Sequence, residues 1–507
     1  MDAHLAPKIK NSKDSEILED LLPKVKLNYT DNILDNIKYD STTSCYETDD
    51  KLSKKFYYEY RSWYVILLTI NAATGNFFIG WNIGVFDPIQ KHLSQMFNWT
   101  NDEEKLYLSL ISSSLQFGAM FGALFSGYIS RKLGRRKTYL YLDLISWVGI
   151  SLTLIVNEYT MILGRLISGI CVGVYSPLVC VYVNETAPYK ISGICGAIYE
   201  TCFCMGIFLS YIAGLNLPEE NQPMNNWWRV MVSIPGILNA INMVNLLMFF
   251  KNEPPKFLYI NKKETEKCAN SLRCIYKSED DVKQMLKDFK NFSEVQSSEN
   301  GLSMMFKKKY RPRLFIACVL MIGQLVSGTD VIFMYSDHIY YELLGDKHEA
   351  TIYTIYTGLA MVAAGISSIL IIEPIGRRKL LMIGQSLLVL DLLVISLMYY
   401  FNCVYSVVIY FFIFSIFLNG ISISPISYIY SSDILPENGV SLAVVSNYLT
   451  DFILCTSFLF MEKSFLKMHG TIGVYCIFST IVLILSFSYV KETRNMSSKQ
   501  IDDLFKK

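Results

Sequence analysis

Polar side chains recur at helical spacing inside several long apolar stretches of this sequence. Four such sets each fall on one face of a helix: Asn71, Gly75, Phe78 and Asn82; Glu200, Cys204, Ile207 and Tyr211; Gly420, Ser424 and Tyr428; and Asn447, Asp451 and Cys455. Amides, carboxylates and hydroxyls in an apolar surrounding suit hydrogen bonding to a polar solute. No nucleophile–base pair is recognisable in the sequence, so these side chains predict binding, and no enzymatic activity is expected.

Two further polar residues, Gln324 and Asp330, lie six positions apart in one apolar stretch. On a straight helix they would point to different sides. Ser327 and Gly328 between them predict a break in the helix, which would let both side chains face the same interior. An irregular backbone at membrane depth is tolerated where it lines a water-filled cavity.

The elements that hold these residues are long apolar segments. Of the 507 residues, 52% are hydrophobic and only 18% are charged, against roughly 25% charged in an ordinary soluble protein. A helix needs about 20 mostly apolar residues to cross a bilayer. About twelve such spans are predicted, near 63–85, 106–129, 138–156, 160–183, 193–215, 228–250, 314–340, 351–372, 380–401, 404–429, 442–460 and 472–490.

Polar segments divide the spans into two sets of six. Residues 1–61 predict a largely disordered tail, and residues 251–313 predict a soluble linker with short helices. Bundles are expected at 62–250 and 314–490, followed by a tail at 491–507. Gly134–Lys137 and Gly376–Lys379 both read GRRK, an internal repeat. The predicted fold class is therefore an all-α membrane protein of two pseudo-symmetric six-helix bundles.

Charge and cysteine usage set the orientation and exclude other classes. Basic loops follow even-numbered spans, which predicts that these loops and both termini are cytoplasmic. The NWT triplet at Asn98 is then a glycosylation acceptor in the first outward loop. Twelve scattered cysteines and five histidines show no ligand spacing, so no metal or other cofactor is expected. With a net charge of +1, no nucleic-acid partner is expected, and nothing indicates an oligomeric state.

From about Arg61 to Leu504, the sequence resembles the sugar porters of the major facilitator superfamily, and among them the facilitative glucose transporters. The matching stretches, in order, are GWNIGV (80–85), LGRRK (133–137), GRLISGICVG (164–173), YVNETAP (182–188), NEPPKFL (252–258), QLVSGTD (324–330), EPIGRR (373–378) and VKETRN (490–495). The resemblance implies the twelve-span fold, a sugar as the transported solute and a place in the plasma membrane.

The resemblance also implies roles for individual residues. Sugar contacts are expected from Gln324, Glu200, Asp330, Tyr428, Asn82, Asp451 and Phe452; plain helix packing is the alternative for Gln324, Tyr428 and Phe452. Cytoplasmic gating by ion pairs is expected from Arg135, Arg136, Glu185, Glu373, Arg377, Arg378 and Asp433; the alternative for the basic residues is that they only set topology. Arg131 stands where the family usually has Asp or Asn, so this latch is expected to be rewired or weaker.

Three acids set this sequence apart, because Glu200, Asp330 and Asp451 stand where the family has amides. A buried carboxylate takes up a proton or finds a cation, and the neighbouring spans show no Lys or Arg at that depth. The function expected is uniport of a hexose. Proton-coupled or cation-accepting transport is the first alternative, although the family's symporters have Asp where this chain has Asn82. A sugar sensor that signals through residues 1–61 is the second.

Overall fold

The structure, a computed structural model, describes residues 60–188, 191–217, 225–296, 305–401, 405–464, 466–494, 496 and 498–505. The predicted tail therefore lies outside the described residues except for its last two positions. The helices are α1 Ser62–Gly84, α2 Phe86–Phe97, α3 Asn101–Leu133, α4 Arg135–Thr153, α5 Glu158–Thr186, α6 Ser192–Gly214, α7 Trp227–Met248, α8 Pro255–Phe257, α9 Thr265–Ile275, α10 Glu279–Gln296, α11 Arg311–Gly323, α12 Thr329–Leu344, α13 Lys347–Ile375, α14 Arg377–Tyr400, α15 Tyr405–Ile421, α16 Ile423–Ile434, α17 Glu437–Glu462, α18 Lys467–Tyr489 and α19 Ser498–Leu504.

The predicted spans all fall on these helices. Within the described part of the chain, nine helical stretches are long and apolar enough to cross a membrane. The other three predicted spans are α4, α6 and the α11–α12 pair. α4 begins with three basic residues and contains Asp143, α6 contains Glu200, and the α11–α12 pair is interrupted. Polar residues and a broken backbone lower the hydropathy of a single window, so these three fall short by composition or length.

The helix break predicted at Gly328 is present. α11 ends at Gly323 and α12 begins at Thr329, with Gly328 at φ +79°. A side chain at this φ is strained, so glycine suits the position. The hydroxyl of Ser327 donates to the Gln324 carbonyl over 3.0 Å, which satisfies one backbone group that the break would leave unpaired. The break therefore brings Gln324 and Asp330 to the same region.

Two departures from regular helix were not predicted. α15 and α16 are separated at Ser422, whose φ and ψ are −113° and −89°. α12 contains a kink at Tyr335, where φ is −136° and ψ is 18°. Neither residue is a Gly or Pro, so the local sequence carries no breaker signal.

The two halves of the chain meet along two seams. α3 packs along α17, and α6 packs along α13. These seams are equivalent, because α3 is the second span of its half and corresponds to α13, while α6 corresponds to α17. Small residues line the second seam: a Cβ on Gly358 would lie 3.1 Å from the Cα of Phe208, and one on Gly365 would lie 3.3 Å from Cys204 Sγ. Close approach of the backbones is the usual device where helices pack in a membrane.

The linker is helical, as the sequence predicts. α9 and α10 carry acidic residues in their first turns and bury a narrow apolar stripe. The backbone N–H of Arg61 donates to the carbonyl of Ile275 over 2.8 Å, so the linker contacts the residue before α1. The linker therefore lies at the end of the helices where α1 begins.

Candidate functional site

Gln324 is the best anchored of the predicted contact residues. Its side chain is buried, and its Oε1 accepts a hydrogen bond from the hydroxyl of Ser427 in α16. Its backbone carbonyl accepts one from Asn419 Nδ2 in α15 over 2.9 Å. The break before α12 and the interruption between α15 and α16 thus meet at Gln324. This contact orients the amide of Gln324 relative to two other helices.

Tyr428, the residue after Ser427, connects the two halves of the chain. Its hydroxyl is a hydrogen-bonding neighbour of Ser176 in α5, and it lies within electrostatic range of Glu200 and Asp330. These acids come from α6 and α12. The structure therefore brings together three of the predicted contact residues, Tyr428, Glu200 and Asp330, and adds Ser176, which the sequence did not single out.

Asp330 and Asp451 also face one another. Asp330 is half-buried and lies within interaction range of Asp451, which is 2% exposed. Asp451 accepts a hydrogen bond from Cys455 Sγ over 3.2 Å and has Gln116 of α3 as a second neighbour. Two carboxyl groups that share one buried region resist double ionisation, because each charge raises the cost of the other.

Arg165 is the functional residue that the sequence missed. It is buried in α5, donates from Nη1 to the carbonyl of Asn82 over 2.7 Å, and places its guanidinium 5.1 Å from the ring of Phe86. It also lies within electrostatic range of Cys455, one turn beyond Asp451. The expectation that no Lys or Arg lies near the acids is therefore wrong. The pattern GR at 164–165 was the available signal.

Asn82 and Phe452 occupy less central positions. The Asn82 side chain donates from Nδ2 to the carbonyl of Phe78 in its own helix over 2.9 Å. The ring of Phe452 packs on Phe117 across the seam between α3 and α17, at a centroid distance of 5.1 Å. Phe452 also borders an open groove on α17 together with Phe460. For both residues the contacts described are helix contacts, so a sugar contact remains a prediction.

The predicted cytoplasmic charges form one ion pair in each half. Arg135 and Glu185 make two hydrogen bonds of 2.8 and 2.9 Å, with Arg135 almost fully buried. Arg377 lies 3.0 Å from the carboxylate of Asp433. The two arginines follow the repeated glycines, so the pairs are related by the internal repeat. The side chain of Glu373, the remaining predicted acid, lies outside the described residues.

Arg136 and Arg378 contact helix ends instead of carboxylates. Arg136 donates from Nε to the carbonyls of Leu246 and Phe250, each over 3.0 Å, at the end of α7. Arg378 donates from Nη2 to the carbonyl of Phe487 over 3.2 Å, near the end of α18. A cation at a helix carboxyl end is favourable, since it pairs with otherwise unsatisfied carbonyls.

Two glutamates cap the helices that these arginines begin, and the sequence did not single out either one. Glu253 accepts the backbone N–H of Arg136 over 3.0 Å, and Glu492 accepts that of Arg378 over 3.0 Å. Burial raises the pKa of the Glu253 carboxyl, while hydrogen bonds from the α4 backbone act in the opposite direction. Both glutamates sit inside quoted motifs, NEPPKFL and VKETRN, which was the signal available.

The repeated glycines make room for these caps. Gly134 and Gly376 have φ of +103° and +92°. A Cβ would lie 2.6 Å from Glu253 Oε1 at the first position and 3.1 Å from Glu492 Oε2 at the second. The GRR motif therefore combines a left-handed turn, an acid-capped helix start and two basic side chains with different partners.

Contacts between the halves lie at both ends of the helices. At the end with the GRR turns, Arg131 Nη1 donates to Asn438 Oδ1 over 2.6 Å, a pairing consistent with a rewired latch. At the other end, Asp87 of α2 accepts a hydrogen bond from the backbone N–H of Asp337 over 3.0 Å and another from the hydroxyl of Ser336. The hydroxyl of Tyr211 donates to the carbonyl of Phe333 over 2.7 Å. These contacts hold the second half of α12 against α2 and α6.

The predicted glycosylation site is exposed. Asn98 follows α2 with φ of 51°, a conformation that Asn tolerates well. Thr100 caps α3 together with Glu103, whose Oε2 lies 2.8 Å from the threonine hydroxyl. Hydrogen bonds from Thr100 lower the pKa of Glu103. The geometry leaves the Asn98 amide accessible, and its modification stays a prediction.

Comparison with known proteins identifies the family. Residues 68–505 match the family model described as "Sugar (and other) transporter". The chain belongs to this family. The transporter is 27% identical over 460 residues to Hexose transporter 1 of Plasmodium knowlesi, across 85% of this chain and 90% of that protein. It is 27% identical over 471 residues to facilitated glucose transporter member 3 of solute carrier family 2 from Oryctolagus cuniculus, across 87% and 92%.

Other similar proteins are proton symporters. The transporter is 24% identical over 453 residues to the arabinose-proton symporter of Bacillus subtilis, across 87% of this chain and 95% of that protein. Its structure superposes on the proton:xylose symporter XylE of E. coli with a TM-score of 0.77 at 20% identity, across 88% and 100%. The predicted major facilitator fold and sugar porter family are confirmed, and the transporter is an integral membrane protein.

Proposed function

We propose that the chain carries a hexose across the plasma membrane by facilitated uniport, with alternating access to a central site. The observation that supports this function is the convergence of Glu200, Asp330 and Tyr428 from three helices, beside the anchored Gln324. Carboxylates, an amide and a phenol hydroxyl are suitable partners for sugar hydroxyl groups. Relatives named as hexose and glucose transporters support the same solute class.

Uniport is favoured over proton coupling by Asn82. In the sugar porters that this chain resembles, symporters have an aspartate at this position, and an amide does not ionise in the physiological range. The Asn82 side chain is also bonded to its own helix at Phe78. Proton-coupled transport is the second candidate, because Asp330 and Asp451 form a buried carboxyl pair able to hold one proton.

The solute is tested by uptake of radiolabelled glucose, fructose and inositol in cells that lack their own hexose carriers. Saturable uptake of a hexose, lost on Gln324→Ala with surface expression retained, is the expected result. Uptake of inositol alone would assign a polyol, and no uptake of any of the three would contradict the proposed solute class.

Coupling is tested by a pH step at clamped membrane voltage. A uniporter gives substrate-independent current, so adding hexose at acidic outside pH is expected to produce no inward current. A substrate-dependent inward current that disappears in Glu200→Gln would reject uniport. Asp102→Asn, a change at an exposed acid on the first outward helix end, is the matched control.

The orientation and the domain boundaries are part of the proposal. Both termini are cytoplasmic, with bundles at 62–250 and 314–490 joined by a cytoplasmic linker. The GRR turns, the linker and the residue before α1 share one end of the helices, which supports this arrangement. Deletion of residues 1–57 tests the sensor alternative: a carrier keeps its flux, whereas a sensor loses its output.

A further inference from the structure

Three side chains with metal-ligand atoms meet where α12 and α17 end. His338 and Glu342 are one turn apart on α12, and Glu462 is the last residue of α17. His338 Nε2 lies 3.4 Å from Glu462 Oε2 and 3.7 Å from Glu342 Oε1. One ligand atom from each residue lies within 4.8 Å of the other two. This cluster is at the end of the helices opposite the GRR turns.

The environment of Glu462 points to a bound cation. Its side chain is only 5% exposed, yet within the described part of the chain neither carboxylate oxygen has a hydrogen-bond partner. His338 Nε2 also lacks one there. Burying a carboxylate without partners is costly, and a cation within coordination distance offsets that cost. The carboxylate and the imidazole nitrogen are directed at the same small space.

We propose that His338, Glu342 and Glu462 bind Zn²⁺. Ligand bonds of about 2.0–2.2 Å in a tetrahedral site place neighbouring ligand atoms roughly 3.4 Å apart. The two distances from His338 Nε2 fit that spacing with small side-chain adjustment. One imidazole nitrogen with two carboxylate oxygens suits zinc better than Ca²⁺ or Mg²⁺, which prefer six or more oxygen ligands.

The site has an access path and an open fourth position. Glu342 is 49% exposed, so the ion reaches the buried Glu462 from solvent past this side chain. Three protein ligands leave one position for water. The sequence gave no sign of the site, because His338 and Glu342 alone are a common spacing on a helix and Glu462 comes from a distant segment.

Zinc bound here would restrain transport. The ligands on α12 follow the kink at Tyr335, in the same short segment that Asp87 contacts from the first half of the chain. An ion that joins this segment to the end of α17 fixes its position within the second half. Movement of the segment then requires the ligands to separate, so zinc slows uptake from the side on which the cluster lies.

The test uses the purified full-length protein in detergent with zinc chloride as the probe. Binding is measured by competition with a fluorescent zinc indicator and by the rise in Tm. We expect micromolar binding that weakens at least tenfold in His338→Ala and in Glu342→Gln. His348→Ala, which removes an exposed histidine at the start of α13, is the matched control and leaves binding unchanged.

The outcomes are decisive in both directions. Equal zinc binding by the protein and by His338→Ala would overturn the site, as would absence of binding in a protein whose metal-free Tm is normal. Equal competition by Ca²⁺ or Mg²⁺ would overturn the assignment to zinc. Because binding is measured without transport, failure of the site leaves the proposed hexose function standing. Zinc inhibition of uptake that persists in Glu342→Gln would contradict the restraint on α12.

Discussion

The carboxylate of Asp87 accepts a hydrogen bond from the backbone N–H of Asp337 over 3.0 Å, and so joins the first half of the chain to the second. Asp337 lies just after the kink at Tyr335, where the helix restarts and its first N–H groups have no helical partner. The hydroxyl of Ser336 donates to the same carboxylate. Asp87 therefore acts as a helix cap supplied by the other half of the molecule.

Loss of this cap is expected to loosen residues 336–344. Hydrogen bonds to a charged acceptor contribute about 1.5–3 kcal/mol each. Asp87→Ala should therefore speed amide hydrogen exchange in residues 336–344 at least tenfold, measured by mass spectrometry. Asp102→Ala, which removes an exposed aspartate at the same end of the helices, should leave exchange unchanged. Unchanged exchange in Asp87→Ala would contradict the capping role.

Gln324→Ala is expected to lower hexose uptake by at least tenfold per transporter at the cell surface. The substitution removes the amide that Ser427 orients and the hydrogen bonds this amide offers to a solute. Gln385→Ala is the matched control, because Gln385 is also a buried glutamine but lies in α14, where Nε2 faces the carbonyl of Ser479. Similar losses in both variants would mean that the effect is structural.

Arg135 and Glu185 are expected to stabilise the fold strongly as a pair. Removing one partner of a buried ion pair costs about 3–5 kcal/mol, because the other charge stays buried. Arg135→Gln and Glu185→Gln should each lower Tm in detergent, and the double variant should lose less than the sum. Arg273 and Glu279 form a comparable pair on the linker surface, with more than half of each side chain exposed. Breaking that pair should leave Tm within error.

Asn98→Gln is expected to increase gel mobility of protein made in eukaryotic cells, by removing one glycan. Thr100→Ser keeps both the acceptor triplet and the helix cap, so its mobility should match that of the parent protein. Enzymatic removal of glycans should make all three proteins migrate together. Identical mobility of Asn98→Gln and the parent before that treatment would place doubt on the outward orientation of this loop.

The sequence was sufficient for the helices because the bilayer sets their length and composition. Apolar runs of about twenty residues leave few alternative boundaries. The break at Gly328 was predictable for a local reason, since a glycine between two polar residues permits a left-handed turn. The repeated GRRK turns were visible as well, and the structure shows each with an acid partner.

What the sequence did not reveal depends on pairs distant along the chain. Glu253 and Glu492 follow the glycines they contact by more than a hundred residues, and no local pattern marks them as caps. Arg165 lies near Cys455 only because α5 and α17 approach one another in the fold. The break at Ser422 has no glycine or proline. Such features follow from tertiary packing, which overrides local preference.

The glycines on the α6–α13 seam have a consequence for how the protein works. Gly358 and Gly365 bring the two helices so close that any added side chain becomes a wedge against Phe208 or Cys204. A bulky residue at either position would leave each half able to fold, since the intrusion lies between them. It would jam the pivot, and so yield a carrier that reaches the cell surface, still recognises its sugar and no longer turns over.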